Sequence, residues 1–222
     1  MKEAQLVHEF LPEGRPAFRQ DLGADRHLRC HRQEAPAPVG HGGEDRHKRD
    51  AHPGQAVDAL LLGAGVVAAR EQSLPVLPDH VTVARDEREQ RGPLEGLRVG
   101  LKALPSFVEI AYITSCDVPL LVPRFVERMV DLLGDHDVAV MEIDGFAHPL
   151  SAVYRRNTLP DIESLLQRER LRPVFLFDTV RTRRVRPEEM AKVDKELRTL
   201  RNVNTPEEYL AALSEAGFQY ES

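Results

Sequence analysis

The chain has 222 residues, of which 41% are hydrophobic and 30% charged, and its formal net charge is -6 at pH 7. This length and composition fit one globular domain with at most a small appendage. The acidic balance provides no positive field for nonspecific nucleic-acid binding, and no apolar run approaches the roughly 20 residues that cross a bilayer. The first residues lack the basic and apolar stretches of a signal peptide, so we expect a cytoplasmic protein.

Residues 1–65 differ in composition from the rest of the chain. They contain no isoleucine or tyrosine, and Phe10 and Phe18 are their only aromatic residues. They also hold six of the nine histidines, at positions 8, 27, 31, 41, 47 and 52. Neither the helical nor the strand period of apolar residues runs through residues 27–53. We therefore predict a poorly ordered or aberrant segment over residues 1–65, followed by one α/β domain over residues 66–222.

From about Val66 onward, short apolar runs alternate with amphipathic segments, which is typical of βα units. The predicted strands cover residues 81–85, 110–114, 138–143 and 150–154. The predicted helices begin near Leu94, Pro123, Leu159 and Thr205. The arginines at positions 181, 183, 184 and 186 alternate as on the solvated face of a further strand. This order predicts a mostly parallel, Rossmann-like sheet with helices on both faces.

Acidic residues follow two of the predicted strands. Asp86 comes directly after residues 81–85, and Asp117 lies shortly after residues 110–114. Because ligands of parallel sheets bind at the carboxyl ends of the strands, we expect both side chains at one edge. A carboxylate there can bind Mg²⁺ while phosphates and waters supply the other oxygens, although a single aspartate is as often a turn residue. The neighbouring Cys116 is predicted to pack as a small hydrophobic residue.

A Gly-Pro pair lies between these two acidic residues. Gly92 permits a close backbone approach, and Pro93 suits the first position of a helix. The exposed amide groups of such a helix start favour a nucleotide or its phosphates. The same pair is common at ordinary helix starts, so both interpretations stay open.

Three blocks together resemble the molybdenum cofactor guanylyltransferases in order and spacing. They are DEREQRGPLEG at residues 86–96, CDVP at 116–119 and NVNTPEE at 202–208. The segment HPLSAVYR at residues 148–155 is also similar to the family's segment at the molybdopterin side of the cleft. The resemblance covers about residues 66–217 and implies a three-layer fold of the nucleotide-diphospho-sugar transferase type. It implies an enzyme that transfers GMP from GTP to molybdopterin and releases pyrophosphate.

The resemblance also implies roles for individual residues. Asp117 would be the catalytic residue and would hold Mg²⁺ at the phosphates, and Asp86 would contact the guanosine part of GTP. Gly92 and Pro93 would belong to the nucleotide-binding segment. The molybdopterin would be faced by Asn202 and Asn204.

GTP and molybdopterin are the small-molecule partners that this resemblance implies, with no nucleic acid and no membrane. It also implies transient contact with other proteins of molybdenum cofactor biosynthesis or with acceptor molybdoenzymes. Two alternatives stay open. One is a related cytidylyl or sugar-nucleotide transferase, against which the NVNTP block argues, and the other is an inactive homologue that binds molybdopterin.

The family's N-terminal Gly-rich loop has no counterpart in this sequence. Such a loop follows the first strand, and its backbone amides and lysine bind the nucleotide phosphates. The Gly-rich stretch at residues 40–43 follows no predicted strand. We hypothesise that residues 1 to about 65 are translated out of frame and join the true frame near Val66, the alternative being a divergent N-terminus. The nucleotide sequence of the locus distinguishes the two.

Overall fold

The computed structural model describes residues 5–11, 30–32, 60–88 and 91–220, and no helix in these ranges is long and apolar enough to cross a membrane. The strands are β1 (Gln5–Leu11), β2 (Cys30–Arg32), β3 (Leu60–Ala68), β4 (Val81–Arg85), β5 (Ile110–Ser115), β6 (Val138–Ile143), β7 (Phe146–Arg155), β8 (Thr182–Val185) and β9 (Phe218–Tyr220). The α-helices are α1 (Gly92–Ala103), α2 (Pro123–Leu133), α3 (Leu159–Gln167), α4 (Pro187–Met190) and α5 (Pro206–Glu215). Short 3₁₀ turns cover Arg156–Thr158, Pro173–Asp178 and Arg198–Leu200.

One sheet has the strand order β4-β3-β1-β5-β7-β6-β8, and β2 and β9 form a separate antiparallel pair. Strands β3, β4, β5, β6 and β8 run in one direction, whereas β1 and β7 run in the opposite direction. The predicted α/β fold is therefore confirmed, and five of the seven strands of the sheet run in one direction, although four of its six ladders are antiparallel. Because β1 and β7 run opposite to the strands on both sides of them, their ladders with these neighbours are antiparallel.

Strand β7 is longer than the predicted strand at residues 150–154, and it reverses direction after β6. A two-residue turn, Asp144 and Gly145, joins the two strands with φ angles of 50° and 80°. Asp-Gly is a favoured sequence for this hairpin turn because both central residues need a positive φ. The turn therefore explains why β7 is antiparallel to its neighbours.

Helices cover both faces of the sheet, because alternate residues of each central strand point to opposite sides. On one face α1 and α3 pack against Ile113, and on the other α2 packs against Tyr112. The first core is built around buried leucines and an isoleucine of the helices: Leu94, Leu97, Leu101, Ile162, Leu165 and Leu166. The second is built around buried side chains of α2: Phe125, Val126, Met129 and Leu133. These layers match the predicted three-layer architecture.

The first 65 residues are described only in part. Where they are described, at residues 5–11, 30–32 and 60–65, they form strands, and the boundary predicted near residue 66 falls inside β3. The Gly-rich stretch at residues 40–43 lies outside the described residues. The division of the chain into two segments stays a prediction.

A nearly buried ion pair lies inside α1. Glu95 is 2% exposed and Arg98 is 8% exposed. The Arg98 guanidinium donates to both Glu95 carboxylate oxygens at 2.8 and 3.1 Å, and also to Glu87 Oε2 at 2.8 Å. The hydrogen bonds that Arg98 donates to Glu95 raise the pKa of Arg98. Each charge is therefore compensated only while its partner is present.

We expect Arg98→Ala to destabilise the protein by about 3–5 kcal/mol, because it leaves the Glu95 carboxylate buried without its cation. Lys102→Ala is the matched control. The Lys102 ammonium contacts the same Glu87 at 3.1 Å from an exposed position, so its removal should cost less than about 1 kcal/mol. Urea unfolding measures both values, and similar costs for the two variants would contradict this account.

Asp137 provides a pH-dependent contact between β6 and β8. Its carboxylate accepts hydrogen bonds from the Arg181 guanidinium and main-chain N–H at 3.2 Å and from Asn157 Nδ2 at 3.0 Å. The hydrogen bond from the Arg181 side chain is the main reason that the pKa of Asp137 is lowered to about 2. A depressed folded-state pKa stabilises the protein above the unfolded pKa and loses that effect as the pH falls through the folded pKa.

We expect Asp137→Asn to cost about 1–2 kcal/mol at pH 7, since the charged acceptor is lost. The difference from the unmodified protein should shrink as the pH is lowered from about 5 to about 2, because the native carboxylate itself becomes protonated. Denaturant unfolding at a series of pH values provides the measurement. A difference that stays constant over this range would rule out the ionised carboxylate as its source.

Candidate active site

Strands that run in the same direction end at the same edge of the sheet, and both predicted acidic residues lie there. Asp86 follows β4 directly, is half-buried and donates its main-chain N–H to the Ala68 carbonyl at 2.9 Å. Asp117 follows β5 and is also half-buried. In open α/β sheets this edge is where ligands bind.

The strand register places Asp86 and Asp117 at the same level along the strand direction, but after strands that are not neighbours in the sheet. Ala84 pairs with Val67, Val67 with Gln5, and Gln5 with Ser115. Asp86 and Asp117 each follow two residues after this aligned row. Because β3 and β1 lie between their strands, three strand spacings separate them, which is about 14 Å. One ion cannot contact both carboxylates, so the pair brackets the space for an extended ligand.

The Asp117 carboxylate is held by one donor on each oxygen. Ser115 Oγ donates to Oδ1, and Asn202 Nδ2 donates to Oδ2 at 2.9 Å. The main chain adds a third contact, because the Val203 N–H donates to the Asp117 carbonyl at 2.8 Å. Ser115 comes from the end of β5, whereas Asn202 and Val203 come from a segment 85 residues further along the chain. Each oxygen keeps a free acceptor site, since a carboxylate can accept about four hydrogen bonds.

The structure separates the environments of the two asparagines that the resemblance assigns to one ligand. Asn202 contacts Asp117 directly. Asn204 is exposed, and its main-chain N–H donates to Glu208 Oε2 at 2.7 Å. Glu208 and Thr205 form a capping box at the start of α5. Asn204 is therefore held at the start of α5, whereas the Asn202 side chain contacts the Asp117 carboxylate.

The predicted Gly-Pro turn begins α1, and Gly92 and Pro93 are both exposed. Gly92 has a φ of +67°, and a Cβ at this position would lie 3.3 Å from the Leu171 carbonyl oxygen. Arg91 fixes the turn from the other side, because its guanidinium contacts Glu169 at 2.6 Å and the Leu166 carbonyl. The positive φ and the nearby Leu171 carbonyl therefore explain why residue 92 is a glycine without reference to a ligand.

The β6–β7 hairpin forms a neighbouring part of the same edge. Ser151 of β7 pairs with Thr114 of β5, so residues 146–150 extend past the end of that ladder. His148 lies in this extension and is half-buried, and burial lowers its pKa. Phe146, at the tip, is 75% exposed. The segment that resembles the family's acceptor side therefore adjoins the strand that carries Asp117.

The residues at this edge suit a metal that is bound mainly by its substrate. In the described parts of the chain no group of three or more His, Cys, Asp or Glu side chains could hold a metal ion. Mg²⁺ commonly uses one or two carboxylates and takes its other oxygens from phosphates and waters. A single oriented carboxylate such as Asp117 fits that pattern.

Two features of the site were not predicted. Asp194 is 5% exposed, and its carboxylate accepts the main-chain N–H groups of Arg198 and Thr199 at 2.9 Å each. The sequence around it has no pattern that distinguishes it from an exposed turn residue. Cys116 is exposed, so the prediction that it packs as a small hydrophobic residue is wrong. It follows the last buried residue of β5, where the chain has already left the sheet.

A mixed sheet between two helical layers, with five of its seven strands in one direction and carboxylates at their carboxyl edge, is consistent with a nucleotide-binding α/β protein. Comparison with known families agrees. The model of the MobA-like NTP transferase domain family matches residues 55–184. The chain therefore belongs to the MobA-like NTP transferase family.

Individual relatives are consistent with this assignment. The chain is 36% identical over 163 residues to a protein of Methanosarcina acetivorans named "Probable molybdenum cofactor guanylyltransferase", covering 69% of this chain and 71% of that protein. It is 31% identical over 144 residues to a molybdenum cofactor guanylyltransferase of Desulfosudis oleivorans, covering 64% and 70%. Among solved structures, the molybdopterin-guanine dinucleotide biosynthesis protein A of Archaeoglobus fulgidus has a TM-score of 0.52 at 19% identity, over 61% of this chain and 68% of that one. The last likeness supports the fold alone.

We expect Gly92→Ala to cost at least about 1–2 kcal/mol of stability, because alanine is strained at positive φ and its Cβ meets the Leu171 carbonyl. Gly145→Ala is the control, since Gly145 has a φ of +80° but nothing within 4 Å of an added Cβ. The first variant should therefore unfold at a lower urea concentration than the second. Equal midpoints would show that the contact with Leu171 contributes nothing.

Proposed function

We propose that this protein transfers GMP from GTP to molybdopterin and releases pyrophosphate, with Asp117 as the catalytic residue. The observation that carries the proposal is the Asp117 carboxylate, which is oriented by two hydrogen bonds at the carboxyl edge of the sheet. Relatives that bear the name molybdenum cofactor guanylyltransferase match the region that contains it. Family membership indicates that the reaction is a nucleotidyl transfer, and the Asp117 carboxylate is positioned as such a reaction requires.

In this reaction an oxygen of the molybdopterin phosphate attacks the α-phosphorus of GTP. The bond between the α-phosphorus and the bridging oxygen breaks, and pyrophosphate leaves with the electron pair. Such a transfer depends on positioning and charge neutralisation, without a covalent protein intermediate. A bound Mg²⁺ would neutralise the phosphate charge, and Asp117 is the residue that would hold it.

The other residues of the edge have distinct places in this proposal. Asp86 lies about 14 Å from Asp117 across the sheet edge, which suits a contact at the nucleoside end of the same nucleotide. Gly92 and Pro93 begin the helix that follows Asp86. The β6–β7 hairpin lies on the other side of Asp117 and would face the acceptor. The two substrates would therefore meet at Asp117.

A second candidate function is binding of molybdopterin without transfer. It is favoured by the orientation of β1, which lies between β3 and β5 but runs opposite to both. The chain that follows β1 leaves at Leu11, on the edge away from Asp117. A phosphate-binding loop after this strand would thus lie at the wrong edge of the sheet.

Pyrophosphate release distinguishes these functions. The purified full chain is incubated with Mg²⁺, molybdopterin and either GTP or CTP. We expect release with GTP and little with CTP. Release driven by CTP would favour a cytidylyltransferase, and molybdopterin binding without release from either nucleotide would favour the second candidate function.

We expect Asp117→Asn to lower kcat/KM for GTP-dependent pyrophosphate release by about 100-fold or more, because the charged oxygen at the phosphates is lost. Asp131→Asn is a matched control, since Asp131 is exposed on α2 and its change removes the same charge. Stability should change little in Asp131→Asn, and Asp117→Asn should stay folded at the lower stability that the loss of a charged acceptor brings, as urea unfolding will show. An Asp117→Asn variant with unchanged kcat/KM would refute the catalytic role.

A further inference from the structure

The segment that carries Asn202 is anchored from inside the protein by Asp194. The Asp194 carboxylate receives the N–H groups of Arg198 and Thr199, and Leu197 before them adopts a left-handed φ of 50°. A buried carboxylate is costly unless such donors compensate it. The two hydrogen bonds therefore fix the turn that starts at Leu197.

The same segment is attached to the loop after β5 at two further points. The Val122 N–H, just before α2, donates to Thr199 Oγ1 at 3.1 Å. The Val203 N–H donates to the Asp117 carbonyl at 2.8 Å. Asn202 lies between these attachments, so its main chain is held on both sides. Its side chain can contact Asp117 without a large loss of conformational entropy, because the backbone is already ordered.

We propose that Asn202 is a positioning residue that orients the Asp117 carboxylate, and that Asp194 anchors the segment that presents Asn202. This inference rests on the proposed function, in which Asp117 holds the metal. It differs from the role that the resemblance implies for Asn202, a contact with molybdopterin. Ser115 donates to Oδ1 and Asn202 donates to Oδ2, so rotation of the Asp117 carboxylate is restricted. The remaining acceptor site on each oxygen therefore keeps a fixed direction.

Orientation of this kind has a measurable consequence for metal affinity. Groups that hydrogen-bond a metal ligand fix its direction, and their loss commonly weakens metal binding. The effect should be large here, because Asp117 would be the single protein carboxylate at the ion. The effect should also be specific to Asn202, since the hydrogen bond from Asn204 to Glu208 is donated by the Asn204 main-chain N–H.

Mn²⁺ binding to the purified full chain tests the inference without any substrate. Free Mn²⁺ is measured by electron paramagnetic resonance during titration of the unmodified protein, Asn202→Ala, Asn204→Ala and Asp117→Ala. We expect Asp117→Ala to abolish the specific binding and Asn202→Ala to weaken it about tenfold. Asn204→Ala, the matched control, should bind within about twofold of the unmodified protein.

The possible outcomes separate this inference from the proposed function. If Asp117→Ala loses Mn²⁺ while Asn202→Ala retains it, the positioning role is overturned and the role of Asp117 stands. If Asp117→Ala binds as the unmodified protein does, or the unmodified protein shows no saturable binding, the metal placement fails and this inference fails with it. In the transfer assay, Asn202→Ala should raise the Mg²⁺ concentration for half-maximal rate and leave the KM for molybdopterin unchanged. The reverse pattern would support a direct molybdopterin contact and overturn the proposal.

The anchor is tested separately. The Arg198 and Thr199 N–H groups donate to different oxygens of Asp194, and Asp194→Asn replaces one of these acceptors with an NH2 group. This variant should therefore weaken Mn²⁺ binding in the same direction as Asn202→Ala. Thr199→Val serves if that variant does not fold, because it removes the acceptor for the Val122 N–H. If folded Asp194→Asn has the Mn²⁺ affinity of the unmodified protein, Asp194 does not act through Asn202, and the same result for Thr199→Val would overturn the anchoring of the segment at Thr199.

Discussion

Burial of β5 on both faces determines where the candidate site lies. Tyr112 fills one core and Ile113 fills the other, so the strand cannot shift by one residue without exchanging the two sets of contacts. Its last residue, Ser115, is therefore fixed relative to β1, and the turn that follows delivers Asp117 to the carboxyl edge. The helices, the register and the anchored C-terminal segment all depend on this one strand.

The sequence predicted most elements of the described domain, because each has a local signal. Short apolar runs predicted β5 and β6, and Pro123 and Thr205 indicated helix starts. It also placed Asp86 and Asp117 at one edge, since that follows from strand direction alone. The contact of Asn202 with Asp117 had no local signal, because it joins residues 85 positions apart. The direction of β7 was missed, although Asp144-Gly145 is a hairpin signal, since the start of the strand was placed several residues too late.

The orientation of β1 differs from that of the two strands beside it. Strands β3, β4 and β5 end at the edge that carries Asp86 and Asp117, whereas β1 ends at the other edge. The hypothesis of an out-of-frame N-terminal segment would account for this mismatch, because a strand from the correct frame could run parallel to β3 and β5. The family model begins its match at residue 55, after most of that segment.

Within the described part of the chain the sheet ends at β8, a strand of four residues whose arginines are paired with carboxylates. Arg183 contacts Glu189, and Arg184 contacts Glu142. The unpaired backbone groups of an outer strand are a template for another chain, and charged side chains discourage such pairing. A second molecule that added its strand here would have to strip water from both ion pairs. The ion pairs of Arg183 and Arg184 thus disfavour edge-to-edge pairing at β8.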